Sequence, residues 1–249
     1  MTALLENQIA FVTAAGSGIG RAGAIALAQA GALVIVTDRD ADLAAQVAAQ
    51  IGGQAMGLDV TRDDAVTAAI DAVMAQHGRI DILHSHAGVQ TSGSLLVATV
   101  QEMDQSWALN VRSHFVLARA VMPQMMARKS GSIIITASNS GVQLDRQMIA
   151  YATTKHAVIA MTRQIAADYA PFNIRCNALC PGFVDTPFNA GFERQLGGRA
   201  GLERYVQGAI PMGRWATLHE VAASIVYLAS AQSGFMTGHA LVLDGGESL

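Results

Sequence analysis

Short apolar runs alternate with longer stretches of helical periodicity along the chain. Most of these runs are continuously apolar, as is typical of parallel strands covered on both faces. They predict strands at residues 9–12, 33–37, 55–58, 80–83, 132–137, 174–179 and 241–243. The intervening periodicity predicts helices at residues 19–30, 41–51, 63–76, 103–128, 149–169 and 218–228.

Repeated strand–helix–strand units favour a right-handed, doubly wound sheet. The fold class that we predict is therefore α/β, with one Rossmann-type domain over residues 1–249. It holds a central seven-stranded parallel sheet with helices on both faces. No linker, repeat or low-complexity tract divides the chain.

Glycines and polar residues punctuate this pattern. Gly31 and Gly78 stand where helix C-caps are expected, and Thr61, followed by two aspartates, predicts a helix N-cap. Residues 187–212 break the rhythm with five glycines and an arginine-rich helical patch. An irregular insertion after a strand predicts a lid or binding loop, and a plain surface excursion is the alternative.

Composition and charge narrow the function classes. The chain has 249 residues, of which 51% are hydrophobic and 14% charged, so it can bury one large core and further surface between subunits. The net charge of −3 and the absence of a basic block argue against nucleic-acid binding. No apolar run approaches the ~18 residues of a membrane span, and the first seven residues do not resemble a signal peptide. We therefore expect a cytoplasmic protein.

The two cysteines do not predict a disulfide or a metal site. Cys176 and Cys180 lie four residues apart on one predicted strand, a separation of roughly 13 Å, which is too long for a disulfide bond. No second cysteine pair accompanies them, so we expect two buried thiols and no metal. His84 and His86, which share one strand face, lack a third ligand, and a hydrogen-bonding role is favoured for them.

Three residues predict the chemistry. Tyr151 and Lys155 are four apart and share one face of a predicted helix, and Ser138 follows an earlier strand. A free phenol has a pKa near ~10, and a neighbouring ammonium favours the phenolate. We therefore expect Lys155 to lower the pKa of Tyr151. Such a trio can move a proton on or off a substrate hydroxyl, as the interconversion of an alcohol and a ketone requires.

A glycine-rich turn predicts a dinucleotide site. Gly16, Gly18 and Gly20 lie between the first predicted strand and the first predicted helix, where backbone N–H groups can face a pyrophosphate. Asp38 ends the second strand, about twenty residues further on. A carboxylate there can accept both ribose hydroxyls of NAD and would repel the 2′-phosphate of NADP. The adjacent Arg39 could soften that repulsion.

These features, with Asn110 on a mid-chain helix and residues 181–186 after a later strand, resemble the classical short-chain dehydrogenase/reductase family over essentially the whole chain. The resemblance implies four catalytic residues, Asn110, Ser138, Tyr151 and Lys155. It also implies that residues 1–100 form the cofactor half, that residues 101–249 form the catalytic and substrate half, and that the protein is a homotetramer.

The resemblance implies NAD as the cofactor and a set of residues that bind it. They are Gly16, Ser17, Gly18, Ile19, Gly20, Asp38, Arg39, Asp59, Val60, His86, Ala87, Gly88, Tyr151, Lys155, Pro181, Gly182, Val184 and Thr186. The chain departs from the family pattern at three positions: Ala14 replaces a glycine, and Ser85 and His86 replace two asparagines. We expect the Ala14 change to be modest.

Within the family, the chain resembles cytosolic type 2 3-hydroxybutyrate dehydrogenases, in segments that include residues 110–113, 151–155, 174–177, 180–187 and the ending 244–249. This likeness implies a small carboxylate substrate bound through arginines. The candidate substrate contacts are Asn139, Ser140, Arg146, Arg194 and Arg204. A hydroxy acid and a sugar or polyol both remain compatible with this set.

Two further functions compete with an NAD-dependent dehydrogenase. One is an NADPH-dependent 3-oxoacyl-carrier or carbonyl reductase, against which Asp38 argues. The other is a non-catalytic dinucleotide-binding sensor, which would have no need to keep Asn110, Ser138, Tyr151 and Lys155 together.

Overall fold

A computed structural model describes residues 3–249. Its centre is one parallel sheet of seven strands in the order β3-β2-β1-β4-β5-β6-β7. The strands are β1 Ile9–Val12, β2 Leu33–Asp38, β3 Gln54–Gly57, β4 Ile82–Ser85, β5 Gly131–Thr136, β6 Ile174–Pro181 and β7 Ala240–Leu243. The predicted sheet is confirmed, although β4 begins at Ile82, two residues later than expected, because residues 80 and 81 belong to the connection from α3.

Nine α-helices surround the sheet in the described part of the chain. They are α1 Gly18–Gln29, α2 Ala41–Ile51, α3 Asp63–His77, α4 Val100–Trp107, α5 Ser113–Arg128, α6 Ile149–Tyr169, α7 Ala190–Gln195, α8 Arg199–Ala209 and α9 Leu218–Ala229. A π-helical turn, Ala108–Arg112, joins α4 to α5. The prediction of one helix over residues 103–128 was therefore wrong. Helix α4 begins earlier, after the Thr99–Glu102 capping box, and a π-helical turn separates it from α5.

The alternation of side chains along the strands builds two apolar layers. Ile9 and Phe11 of β1 pack with α3, α5 and α6 on one face, and Ala10 and Val12 pack with α1, α2 and α9 on the other. Both layers exclude water, so the sheet is buried on each face, as continuously apolar strands require. Cys176 and Cys180 are free, buried thiols on β6, as predicted.

Local details differ from the predictions. Residues 187–212, where glycines interrupt an arginine-rich helical patch, form the two helices α7 and α8, which pack on Phe183 through a small cluster that includes Leu202, Val206 and Ile210. Arg62, not Thr61, is the N-cap of α3, because the Thr61 hydroxyl donates to Asp59 Oδ1 at 2.7 Å. Gly78 is the left-handed C-cap of α3, as predicted, whereas Gly31 follows the C-cap of α1.

The strand order places a switch point between β1 and β4. The connections from these two strands leave in opposite directions, and a crevice opens at their carboxyl ends where ligands bind in sheets of this kind. None of the described helices is long and apolar enough to cross a bilayer.

Candidate active site

The predicted catalytic residues converge on one cavity. Ser138 follows β5, and Tyr151 and Lys155 lie on the first two turns of α6; all three line a cavity of about 580 Å³ at the carboxyl end of the sheet. The Lys155 ammonium nitrogen lies 5.6 Å from the centre of the Tyr151 ring. The spacing of four residues on one helix thus places the two side chains together, as the sequence indicated.

The electrostatics of this pair differ from the sequence prediction. Burial raises the pKa of Tyr151 to about 12, although a hydrogen bond with Ser138 acts to lower it. Burial also lowers the pKa of Lys155 to about 8. The expected lowering of the tyrosine pKa by Lys155 is therefore wrong for the chain by itself, because burial disfavours the charged form of both groups. Lys155 Nζ donates to the Thr136 carbonyl at 3.0 Å.

Asn110 lies in the π-helical turn and is fully buried. Its amide accepts from the Val89 N–H at 2.7 Å, and donates to the Val89 carbonyl at 2.9 Å and to Thr154 Oγ1 at 3.0 Å. The turn thereby ties the loop after β4 to α6, which carries Tyr151. A side chain at Gly88 would lie 3.3 Å from Asn110 Oδ1 and 3.5 Å from Lys155 Nζ, so the missing Cβ keeps this space open.

The turn between β1 and α1 fits a dinucleotide phosphate. Ser17 is the N-cap of α1, but its side chain accepts no hydrogen bond from the first turn. The N–H groups of Gly18, Ile19 and Gly20 therefore remain available to an anion at the positive end of the helix. A Cβ at Gly20 would lie 2.1 Å from the Ala14 carbonyl oxygen, so only glycine permits this tight turn.

Ala14 occupies the same turn in a left-handed conformation, with φ of 50°. This conformation costs a non-glycine residue roughly 1–2 kcal/mol. The departure from the family glycine is thus a source of backbone strain beside the cavity that Ala14 lines. The sequence could not reveal this, because it gives the residue type and not the sign of φ.

Asp38 and Asp59 follow β2 and β3 at the same edge of the sheet. Asp38 Oδ2 accepts the Gly16 N–H at 2.9 Å, and Oδ1 accepts the Asp40 N–H at 3.0 Å. Two hydrogen bonds from Thr61 lower the pKa of Asp59. Both carboxylates are therefore fixed at the edge where an adenosine would lie, with Val60 buried beside them and Arg39 exposed.

Two buried histidines, His84 and His114, and the partly buried His86, which lines the cavity, lie near the catalytic residues. His84 Nε2 and His86 Nδ1 share the Thr136 hydroxyl at 3.1 and 3.0 Å, and His114 Nδ1 lies 2.6 Å from the Ser85 hydroxyl. Burial lowers the pKa of His86 to about 4, with a further contribution from Lys155. The contacts of His84, His86 and Ser85 are hydrogen bonds that hold β4 to β5 and α5.

The segment after β6 closes the cavity opposite the glycine turn. Pro181, Gly182, Val184 and Thr186 line it, and Val184 pairs with Ala216 as a short bridge. A side chain at Gly18 would meet Thr186 at 3.7 Å, so the two predicted cofactor segments face each other. Gly88 also lines the cavity, and Ala87 is buried beside it.

The candidate substrate residues divide into two groups. Asn139, Ser140 and Arg146 line the cavity. Arg194 and Arg204 are exposed and do not line it, so the structure does not bring these two predicted arginines to the site. They project from the outer sides of α7 and α8, whose apolar sides pack inward.

Arg199, a third arginine of the 187–212 segment, is occupied elsewhere. It forms ion pairs with Asp185 at 2.7 Å, Glu203 at 3.0 Å and Glu193 at 3.5 Å, and its guanidinium stacks 4.6 Å from the centre of the Trp215 ring. These contacts fasten α7 and α8 to the segment after β6. In the described chain, Arg146 has no ion-pair partner.

Several residues that line the cavity were missed by the sequence reasoning. They are polar residues of the loop after β5, of α7 and α8 and of the C-terminal tail, together with two phenylalanines of the 187–212 segment: Gln143, Asp145, Gln195, Tyr205, Glu247, Phe188 and Phe192. No motif marks them. Their positions depend on how the 187–212 segment and the C-terminal tail pack against the cavity. The one signal in the sequence is an acidic residue after β7, Glu247.

The comparisons with known proteins agree with this geometry. The family model described as enoyl-(acyl carrier protein) reductase matches residues 13–248. The chain belongs to the short-chain dehydrogenase/reductase family. It is 40% identical to a 2-keto-3-deoxy-L-fuconate dehydrogenase of Xanthomonas campestris over 98% of this chain and 81% of that protein. It is 38% identical to dehydrogenase/reductase SDR family member 6 of Rattus norvegicus over 98% of this chain and 99% of that protein.

Solved structures give the same family. A gluconate 5-dehydrogenase from Burkholderia cenocepacia, in complex with NADP and tartrate, has a TM-score of 0.93 and 33% identity over 99% of this chain and 97% of that one. A 3-ketoacyl-(acyl-carrier-protein) reductase from Brucella melitensis, in complex with NADH, has a TM-score of 0.90 and 30% identity over 98% and 100%. The protein is therefore an oxidoreductase that acts on hydroxyl groups, of a family that binds a nicotinamide dinucleotide.

Proposed function

We propose that this protein is an NAD-dependent dehydrogenase that interconverts a secondary alcohol and a ketone on a small polyhydroxylated acid or a related polyol. The observation that carries the proposal is the convergence of Ser138, Tyr151 and Lys155 on one cavity, opposite a turn suited to a dinucleotide phosphate. A dinucleotide-binding sensor would need the turn but not the trio.

In this mechanism, Tyr151 takes the proton of the substrate hydroxyl during oxidation and returns it during reduction. Ser138 holds the reacting oxygen, and the protonated form of Lys155, 5.6 Å from the centre of the Tyr151 ring, opposes the burial that raises the pKa of Tyr151. A bound nicotinamide would supply the hydride acceptor or donor. Asn110 fixes the loop after β4 against α6, which keeps Tyr151 and Lys155 in place.

The proposed cofactor set follows from the two cofactor-facing edges of the site. Gly16, Ser17, Gly18, Ile19 and Gly20 would hold the pyrophosphate, and Asp38 and Arg39 the adenosine ribose. Asp59 and Val60 would contact the adenine, His86, Ala87 and Gly88 the bridging region, and residues 181–186 the nicotinamide. Asp38 supports NAD over NADP, since a carboxylate accepts ribose hydroxyls and repels a phosphate.

The cavity supports a polar substrate. Its wall near Ser138 presents an amide, hydroxyls and a carboxylate, from Asn139, Ser140, Tyr205 and Glu247. Arg146 also lines the cavity and forms no ion pair in the described chain. Apolar side chains, among them Leu144, Met148, Phe188, Phe192 and Leu196, line other parts of the cavity, so the support for a polar substrate comes from the wall near Ser138. Arg146 replaces Arg194 and Arg204 as the proposed contact for a substrate carboxylate.

A substrate panel tests the proposal. The purified protein is assayed with NAD and separately with NADP against 3-hydroxybutyrate, gluconate, xylonate, 2-keto-3-deoxy sugar acids and polyols. A 3-oxoacyl thioester, whose ketone can only be reduced, is assayed with NADH and separately with NADPH. Reduction or oxidation of the nicotinamide is followed by its absorbance. We expect NAD-linked turnover of at least one hydroxylated acid or polyol. Turnover confined to NADPH and the thioester would favour a reductase, and dinucleotide binding without any turnover would favour a sensor.

A further inference from the structure

The C-terminal tail turns back into the catalytic cavity. β7 ends at Leu243, and the Asp244 carboxylate accepts the N–H groups of Gly246 and Ser248, each at 2.9 Å. Gly245 and Gly246 have φ of 66° and 91°, which permits the reversal. The tail therefore places Glu247, a residue far from the catalytic motif in sequence, on the cavity wall.

Glu247 connects three parts of the site. Its Oε1 accepts the Tyr205 hydroxyl of α8 at 2.9 Å, and its Oε2 accepts the Asn139 amide at 2.8 Å. Asn139 directly follows Ser138, whose hydroxyl donates to the Asn139 side-chain carbonyl oxygen at 3.2 Å. One carboxylate thus connects helix α8, the C-terminal tail and the loop that carries the catalytic serine.

No cation accompanies this carboxylate in the part of the chain that the structure describes. Its two protein contacts are hydrogen bonds from neutral groups, and it forms no ion pair. An ionised carboxylate offers about four acceptor sites, and the protein uses two of them. The remaining capacity on a half-buried group that lines the cavity suits donors on a ligand, and a ligand carboxylate at the same place would be repelled.

Burial raises the pKa of Glu247, and the nearby Asp145 and Asp244 add to this effect, whereas the hydrogen bonds from Tyr205 and Asn139 act to lower it. Neutral hydroxyl groups are the donors that satisfy such an acceptor without a further charge. A substrate with only one hydroxyl, held by Ser138 and Tyr151, would leave this acceptor capacity unused.

We propose that Glu247 is a specificity-determining residue that accepts hydrogen bonds from substrate hydroxyls beyond the reacting carbon, so that the site selects a polyhydroxylated substrate. This inference rests on the proposed function and names the substrate class within it. The alternative is a purely structural role, in which Glu247 only connects helix α8 to the loop that carries Ser138 through its hydrogen bonds with Tyr205 and Asn139.

The Glu247→Gln variant separates these roles. The carbonyl oxygen of the introduced amide can still accept from Asn139, and its NH₂ group can donate to the Tyr205 hydroxyl, so both ties can form while the charge and part of the acceptor capacity are lost. Tyr205→Phe does the opposite: it removes the hydrogen bond from the Tyr205 hydroxyl to Glu247 and keeps the carboxylate. Glu203→Gln, the same substitution at an exposed position of α8 outside the cavity, serves as the matched control.

The experiment compares kcat/KM for gluconate or the best polyhydroxy acid with kcat/KM for 3-hydroxybutyrate. We expect Glu247→Gln to lower the first by roughly 10–100-fold, as loss of a hydrogen bond to a charged group implies, and to change the second by less than about threefold. Equal losses on both substrates in Glu247→Gln, reproduced by Tyr205→Phe, would overturn the inference in favour of a structural tie. Unchanged values on both would also overturn it.

A binding measurement separates this result from a failure of the proposed function. Gluconate is titrated into the complex of each variant with NADH, and the nicotinamide fluorescence is recorded. If no panel member is oxidised, weaker gluconate binding in Glu247→Gln, with unchanged binding in Glu203→Gln, still supports the inference. Absence of gluconate binding to the wild type, or equal binding to wild type and Glu247→Gln, would overturn it.

Discussion

Replacing Asp38 by asparagine should remove the preference for NAD while the glycine turn keeps its hydrogen bond. The Asp38 carboxylate accepts the Gly16 N–H at 2.9 Å, and the carbonyl oxygen of asparagine can still accept that bond. The negative charge is lost, and so is one acceptor, because the asparagine NH₂ group cannot accept the Asp40 N–H that Oδ1 accepts in the wild type. The substitution therefore removes the charge that would repel a 2′-phosphate without removing the contact that holds the Gly16 turn.

The expected size of the preference for NAD over NADP follows from the repulsion between Asp38 and a 2′-phosphate. The side chain is half-buried at the end of β2, so an effective dielectric constant of about 20 is appropriate. Two like charges about 6 Å apart then repel by about 3 kcal/mol, which corresponds to a factor of about 100 in affinity. The wild type should accordingly prefer NAD over NADP by about 100-fold in kcat/KM, and Asp38→Asn should bring the ratio within about tenfold.

The assay measures kcat/KM with both cofactors for the wild type, Asp38→Asn and the control Asp42→Asn. Asp42 is exposed in the first turn of α2, and the Gly16 N–H donates to Asp38 and not to Asp42. The reasoning is refuted if Asp38→Asn leaves the ratio unchanged. It is also refuted if the wild type uses both cofactors equally, which would mean that Arg39 cancels the charge of Asp38.

Three further predictions concern the site and the assembly. Oxidation should accelerate as the pH rises through about 8 and reduction should slow, because burial lowers the pKa of Lys155 to about 8 and oxidation needs the coupled Tyr151–Lys155 pair to have lost a proton; a flat pH profile of kcat/KM would contradict this. Arg146→Ala should cost ~1.5–3 kcal/mol of transition-state binding for a carboxylate substrate, whereas Arg194→Ala, outside the cavity, should change kcat/KM by less than about twofold; equal effects would contradict the placement. The protein should be a homotetramer or at least a dimer, since Phe115 on α5 is 52% exposed; light scattering at micromolar concentration should show this, Phe115→Asp should favour smaller species, and a monomeric wild type would contradict it.

The sheet was predictable because parallel strands covered on both faces must be continuously apolar. The six predicted helical segments between them have longer, helical spacing of their apolar residues. The bounds of α2 and α6 agree with the prediction. The π-helical turn at Ala108–Arg112 was not predictable, since its residues continue a helical pattern and the widening depends on Asn110 binding the loop after β4.

The site was predictable where a motif fixes geometry locally. A spacing of four on one helix places Tyr151 beside Lys155 whatever else surrounds them. Which side chains of the 187–212 segment reach the cavity was less predictable, because the direction of each side chain depends on how α7 and α8 pack on Phe183. Arg194 and Arg204 consequently lie outside the cavity, while Tyr205 lines it.

The pKa values needed the tertiary structure for a related reason. The sequence indicates which charges are neighbours, and from that Lys155 was expected to lower the pKa of Tyr151. It does not indicate how much water each group loses. In the folded chain burial dominates for both side chains, and it raises one pKa and lowers the other.

Turnover by Tyr151→Phe tests the central claim most directly. The phenylalanine ring keeps the shape of the cavity and removes only the oxygen that moves the proton. The account predicts that kcat for the best substrate falls by ~10²–10⁴-fold while the Kd for NADH, measured by fluorescence, stays within about threefold of the wild type. A variant that binds NADH normally and keeps more than about a tenth of wild-type turnover would contradict Tyr151 as the acid–base group.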